Sequence, residues 1–217
     1  MKKAIIVGAL PLEDGSFLNK AREEGFFLVA CDGGQESFIK AKIEPDLLVG
    51  DFDTFDRSRV QNPKELIELN THKDDTDTLV ALKYLLAQNY DEFHLFGCLG
   101  GKVEHTIANF QLIYFLTSQH KKAYLYSQDN QTIVHMIFNS CIRLKAKNGG
   151  KFSLFSYNSK ARGVTITGAM YELHDATLSN DTPLGISNEL IGKEVNISVK
   201  DGTLLLVLEK DSIAYEP

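Results

Sequence analysis

The chain is poor in cysteine, with Cys31, Cys98 and Cys141 widely spaced among its 217 residues. An odd, scattered trio excludes a disulfide framework and any Cys-x-x-Cys metal site, and it fits thiols kept reduced in a cytoplasm. An excess of positive charge is missing as well. At a net charge of −6 the chain offers no basic face to a nucleic-acid backbone. A nucleotide ligand stays open, because a metal ion can bring the positive charge with it. Long apolar runs are also lacking. None approaches a membrane span, and the run after "MKK" ends at Glu13 and Asp14, short of a signal h-region. The expectation is a soluble, cytoplasmic protein. There are no internal repeats and no low-complexity tract. A content of 43% hydrophobic and 24% charged residues is that of an ordinary globular chain, large enough for one big domain or two small ones.

What is present falls into two halves. Over the first 126 residues, strand-like runs ("KAIIVGAL", "FFLVACDGG", "DLLVGDFDT", "ELIEL", "EFHLFGCLGG", "KAYLYSQ") alternate with helical patterns. Leu79, Leu82, Leu85 and Leu86 form an apolar stripe in a helix expected from about Asp75 to Gln88. Val103, Ile107, Phe110 and Tyr114 do the same in one expected from Val103 to Ser118. Such alternation predicts βαβ units and a mostly parallel sheet, with ligands beyond the carboxyl ends of its strands. After about residue 130 the helical period gives way to short strands, "KFSLFSY", "RGVTITG", "YELHDATLS", "NISVK" and "LLLVLEK". The Asp-Gly pair in "VKDGTL" signals a hairpin. The expected architecture is an α/β domain over 1–130 followed by a small all-β, sandwich-like domain over 131–217.

Two nucleotide-binding signatures and one nucleophile motif are absent. "GCLGGKVEH" has Phe96 and Val103 where a P-loop needs glycine and Ser or Thr. "GDFDT" has Phe55 where a haloacid-dehalogenase motif needs Thr or Val, and the first strand–helix turn carries no dinucleotide fingerprint. Instead, aspartates crowd the predicted strand ends. Asp32 reads alone as a turn residue, and Asp75 as a helix N-cap with Asp77 in the first turn. Asp51 and Asp53 do not reduce to a turn, because a turn needs no second carboxylate one residue away. Their mutual repulsion calls for a cation, and hard oxygen ligands without His or Cys nearby point to Mg²⁺. Gly100 and Gly101, just before a helix start, with Lys102 behind them, suit phosphates. The histidines show no ligand spacing, and His94 and His135 read as satisfied core or surface residues.

The segments "DGG" (Asp32, Gly33, Gly34), "PDLLVGDFDT", "DDTDT", "GGKVEHTIAN" and "GISNE" occur in this order, and together they resemble the thiamine pyrophosphokinase family. The resemblance covers nearly the whole chain. It implies transfer of the β,γ-pyrophosphoryl group of ATP to the hydroxyethyl oxygen of thiamine, with release of AMP. It implies further that Asp51, Asp53 and Asp77 surround Mg²⁺ and that Asp32, Gly33, Gly34 and Asp75 lie on the ATP side. Gly100, Gly101 and Lys102 would hold phosphates, and Ser187 and Asn188 would face the thiamine pyrimidine. Family members are homodimers with thiamine bound where the subunits meet. Two positions depart from the family pattern. Lys102 stands where arginine is common, which keeps the charge but loses the bidentate fork. Glu104 stands where aspartate is usual and is read as a helix-start residue. Two rivals are a metal-dependent glycosyltransferase, which also uses Asp-x-Asp after a strand, and a non-catalytic sensor of nucleotide or thiamine.

Overall fold

The structure, a computed structural model, describes residues 1–51, 63–70, 74–146, 150–210 and 213–216. Two compact units emerge, one comprising 1–112 with 121–129 and the other 113–120 with 130–217. Asp53 lies outside the described residues.

In the first unit the strands β1 (Lys3–Val7), β2 (Phe27–Cys31), β3 (Leu47–Gly50), β4 (Glu65–Glu68), β5 (Glu92–Leu99) and β6 (Lys122–Ser127) line up in the order β6-β5-β1-β2-β3-β4. Every pairing among them is parallel. Ile5, Ile6 and Val7, then Leu28 to Ala30, then Leu47 to Val49 are buried at consecutive positions, so both faces of the centre are covered. The intervening helices are α1 (Phe17–Glu23), α2 (Gln35–Ala41), α3 (Asp77–Ala87) and α4 (Val103–Thr117). From β1 the chain winds outward through β2, β3 and β4, then returns to place β5 on the other side of β1. The crevice between oppositely wound halves therefore opens at the carboxyl ends of β1 and β5, where ligands of such sheets bind.

Two helical expectations need correction. The N-cap of α3 is Thr76 rather than Asp75, and its Oγ1 accepts the Leu79 N–H at 3.2 Å. In α4 the expected stripe does not face the core: Val103 is 71% and Ile107 53% exposed, while Leu112, Ile113 and Leu116 are buried. The segment "VEHTIANFQLIYFLT" is apolar on several faces, so periodicity alone cannot choose among them.

The second unit is antiparallel throughout. In one sheet β12 (Gly185–Glu189), β9 (Lys151–Ser156), β14 (Thr203–Glu209) and β7 (Thr132–Phe138) are neighbours. The other has the order β11 (Leu173–Ser179), β10 (Lys160–Thr167), β13 (Glu194–Ser198), β8 (Cys141–Ala146) and β15 (Ile213–Glu216). Phe152, Leu154, Leu204 and Leu206 from the first sheet share a core with Leu144, Val164, Val195 and Ile197 from the second. That is the expected α/β-then-sandwich fold class. The Asp201–Gly202 pair, however, makes no hairpin. β13 pairs with β8 and β10, and β14 with β7 and β9, so the pair carries the chain from one sheet to the other. Gly202 adopts φ +112° there, and its N–H donates to Asn139 Oδ1 at 2.8 Å.

Candidate active site

A cavity of about 510 Å³ opens in the first unit at the crevice between β1 and β5. Its walls come from the residues after β1 (Gly8, Ala9, Leu10), the end of β2 (Cys31, Asp32) and the start of α3 (Thr76, Asp77, Thr78). The end of β5 and the first turns of α4 complete it with Gly97, Cys98, Gly100, Lys102, Glu104, His105 and Asn109. Asp32 occupies the left-handed region, with φ +48°. Such a residue at a cavity wall is backbone strain held where it aims a side chain. Gly34 makes the turn possible, since a Cβ there would come within 2.1 Å of the Val7 carbonyl oxygen. The second glycine of "DGG" therefore serves close packing on β1.

The floor of the cavity holds two thiols. Burial pushes Cys31 well above the ordinary cysteine value and Cys98 up to about 12, against an opposing pull from the Thr78 hydroxyl. Both stay protonated at neutral pH and offer no thiolate to a soft metal. Carboxylates are the anionic donors left, and they select a hard cation. Among the described residues no group of three or more His, Cys, Asp or Glu side chains gathers as a metal cluster. This donor set fits Mg²⁺, which takes one or two carboxylates and completes its shell with water and substrate phosphate.

The structure brings four sequence-predicted residues, Asp32, Asp77, Gly100 and Lys102, to this one cavity. Asp51 follows β3 directly and is half-buried, outside the cavity's own wall. Asp75 is ion-paired with Lys83 of α3 at 2.6 Å. Gly101 adopts φ +67° beside Leu10. Ser187 and Asn188 sit on β12 of the second unit, Ser187 exposed with φ +55° and Asn188 buried. The Asn188 side chain accepts the Tyr171 N–H at 3.0 Å and donates to the Tyr171 carbonyl at 2.8 Å.

Sequence reading missed the residues that shape the glycine loop. Gly100 N–H donates to Thr106 Oγ1 at 3.2 Å, and that hydroxyl lies 3.2 Å from the Gly100 carbonyl oxygen. Asn109 Nδ2 donates to the Cys98 carbonyl at 2.7 Å. The signal was a polar pair three residues apart on one face of α4, inside an otherwise apolar stretch. The Gly100 N–H is therefore engaged within the loop.

Two family profiles match the chain. One, described as thiamin pyrophosphokinase, catalytic domain, covers residues 18–125, and the other, thiamin pyrophosphokinase, vitamin B1 binding domain, covers residues 140–204. The chain belongs to the thiamin pyrophosphokinase family. A curated thiamine pyrophosphokinase of Bacillus subtilis (strain 168) is 27% identical over 215 residues, spanning 97% of this chain and all of that protein. The crystal structure of thiamine pyrophosphokinase from Bacillus subtilis shares the fold at a TM-score of 0.82 and 24% identity, over 96% of this chain and 99% of that one. That of thiamin pyrophosphokinase from Geobacillus thermodenitrificans gives 0.81 and 25%, over 95% and 96%. Within the thiamin pyrophosphokinase family the two departures acquire a location: Lys102 and Glu104 both line the cavity. Glu104 lies in the first turn of α4 as expected of a helix-start residue, and it faces the site as well.

Proposed function

We propose that the protein is a Mg²⁺-dependent thiamine diphosphokinase that transfers a pyrophosphoryl group from ATP to thiamine in the cytoplasm. The observation that carries this reading is the convergence of Asp32, Asp77 and Lys102 on one cavity at the sheet's switch point, in a chain of this family. The hydroxyethyl oxygen of thiamine forms a bond to the β-phosphorus. The bond from that phosphorus to the oxygen bridging it to the α-phosphorus breaks, AMP leaves with the bridging oxygen, and the alcohol proton is lost. Little covalent chemistry is asked of the protein, which aligns the alcohol, offsets charge and keeps water out.

Asp51, Asp53 and Asp77 are proposed as the metal-holding carboxylates; a bound Mg²⁺ would neutralise charge on the transferring phosphates. Lys102 meets phosphate as a mobile point charge, with Gly100 and Gly101 shaping the loop beside it. Asp32 orients ATP from its strained turn, Gly33 and Gly34 let that turn approach β1, and Asp75 steadies α3 through Lys83. At the thiamine end Ser187 offers a hydroxyl, while Asn188 acts by holding the Tyr171 backbone. The working unit is proposed to be a homodimer with thiamine held where subunits meet. Five large exposed apolar residues between 170 and 191 support a covered surface there: Met170, Tyr171, Leu184, Ile186 and Ile191. Turnover with ATP and thiamine that EDTA silences and Mg²⁺ restores is the expected result. Activity unchanged by EDTA contradicts the metal assignment, and no turnover with Mg²⁺ present favours the sensor instead.

A further inference from the structure

The proposed phosphoryl chemistry leaves two thiols at the cavity floor unused. Cys31 ends β2 and Cys98 lies near the end of β5, the two strands that flank β1, and both line the same cavity. Gly8 follows β1 between them. Val7 pairs with Ala30, which puts Gly8 level with Cys31. A Cβ on Gly8 would come within 2.5 Å of Cys98 Sγ, so that sulphur lies over the position next to Cys31, in space a side chain would fill. Gly97, at φ +64° in the stretch where β5 shifts register, re-aims Cys98 that way. The two thiols also influence each other. After burial, the nearness of Cys98 is the next largest cause raising Cys31, and the Thr78 hydroxyl pulls on both. A disulfide does not suit the pair. Strands on either side of a third lie about 9–10 Å apart, and a disulfide spans Cα atoms no more than about 7 Å apart. The spacing asks for a further atom between the two sulphurs.

We infer that Cys31 and Cys98 form a dithiol site that a trivalent arsenical bridges, closing the cavity from its floor. The step balances without an oxidant. In the hydrated reagent, arsenic carries two hydroxyls; each As–O bond breaks as an As–S bond forms, and each thiol proton leaves with its hydroxyl as water. One dithioarsinite and two waters result, and arsenic stays trivalent. Because the departing hydroxyl takes the proton, a protonated pair suffices, whereas an alkylating reagent needs the thiolate that burial denies here. The site stands on the two thiols alone, and only its effect on turnover rests on the nucleotide reading of the cavity.

The probe is phenylarsine oxide, added to the full-length wild-type protein. Intact mass should show one phenylarsenic group per chain, and peptide mapping should place it across Cys31 and Cys98. Cys141, exposed on β8, should remain free, and Cys141→Ser should bind as the wild type does. Dimercaptopropanol should strip the group, whereas a monothiol should not. Cys31→Ala and Cys98→Ala should each raise the half-saturating concentration about a hundredfold, because the second sulphur otherwise closes the ring intramolecularly. Turnover with ATP and thiamine should fall in step with bridging and return with dimercaptopropanol. Absence of the adduct, or an adduct on Cys141 instead, overturns the inference whatever the variants do. A bridge that leaves turnover intact overturns it too, since the cavity would then stay open. A bridge across Cys31 and Cys98 in a protein that never turns over thiamine upholds the dithiol site and sinks the transferase reading alone.

Discussion

Asp77 does one job in the fold and is proposed to do another of very different size. As an acidic residue in the first turn of α3 it stabilises the helix by about 0.3–1 kcal/mol through the macrodipole. As a cavity-lining carboxylate proposed to hold the metal it is expected to govern the barrier. Asp77→Asn should therefore leave the melting temperature nearly unchanged while kcat falls about a hundredfold or more, equivalent to about 2.7 kcal/mol. Near wild-type turnover in limiting Mg²⁺, for this variant or for Asp51→Asn, contradicts the metal assignment. The proposed metal site was legible as a candidate from residue identity, because a pair such as Asp51 and Asp53 has no bland explanation. What it could not carry was direction. Asp32 and Asp75 look alike in sequence, yet one lines the cavity from a left-handed turn and the other is ion-paired with Lys83. Whether an aspartate faces a cavity or its own helix depends on backbone angles that residue type only biases.

At the scale of elements, the glycine loop depends on α4. Thr106→Val removes the hydroxyl that bridges the Gly100 N–H and carbonyl. Losing such a bond costs about 0.5–1.5 kcal/mol. The ATP KM should rise roughly two- to tenfold, with recovery in Thr106→Ser; an unmoved KM would separate the loop from phosphate binding. On β5, Glu92 lies below its ordinary value of 4.5, chiefly through its hydrogen bond with His94 at 3.0 Å and against the opposing pull of burial. His94 meets Tyr126 on its other side at 2.8 Å, and Lys3 of β1 lies 3.4 Å from Glu92. A carboxyl whose folded value is depressed adds stability that is present above 4.5 and drains away as pH falls through the lower folded value. Denaturant midpoints should drop on acidification below about 4.5, and Glu92→Gln should flatten that drop; an identical acid slope in both proteins contradicts the linkage. Strands and helices were legible at this scale because period 2 and period 3.6 differ sharply. The face of α4 was not, since nearly every face of that helix is apolar. The Asp201–Gly202 pair misled for a similar reason: the local signal for a reversal is the same whether the next strand joins this sheet or the other.

The whole molecule joins an α/β unit proposed to hold the phosphate chemistry to a β sandwich proposed to hold thiamine. If the two ends are so divided, Ser187→Ala should raise the thiamine KM about two- to tenfold, the cost of one hydrogen bond to a neutral ring, with the ATP KM unchanged. Equal shifts would mark a folding defect instead. If thiamine is held between subunits, dilution below the dimer constant should lose thiamine binding before ATP binding. The two-part layout was readable because helical periodicity stops near residue 130, but the apolar surface around β12 was not, since exposure is a property of the fold and not of residue type. The claim on which the rest depends is the transfer of two phosphates as one group. Incubating the protein with ATP, Mg²⁺ and thiamine and quantifying every phosphorylated product tests it directly. Thiamine diphosphate and AMP forming in equal amounts is the predicted result, whereas ADP with thiamine monophosphate, or AMP without any thiamine product, would contradict it.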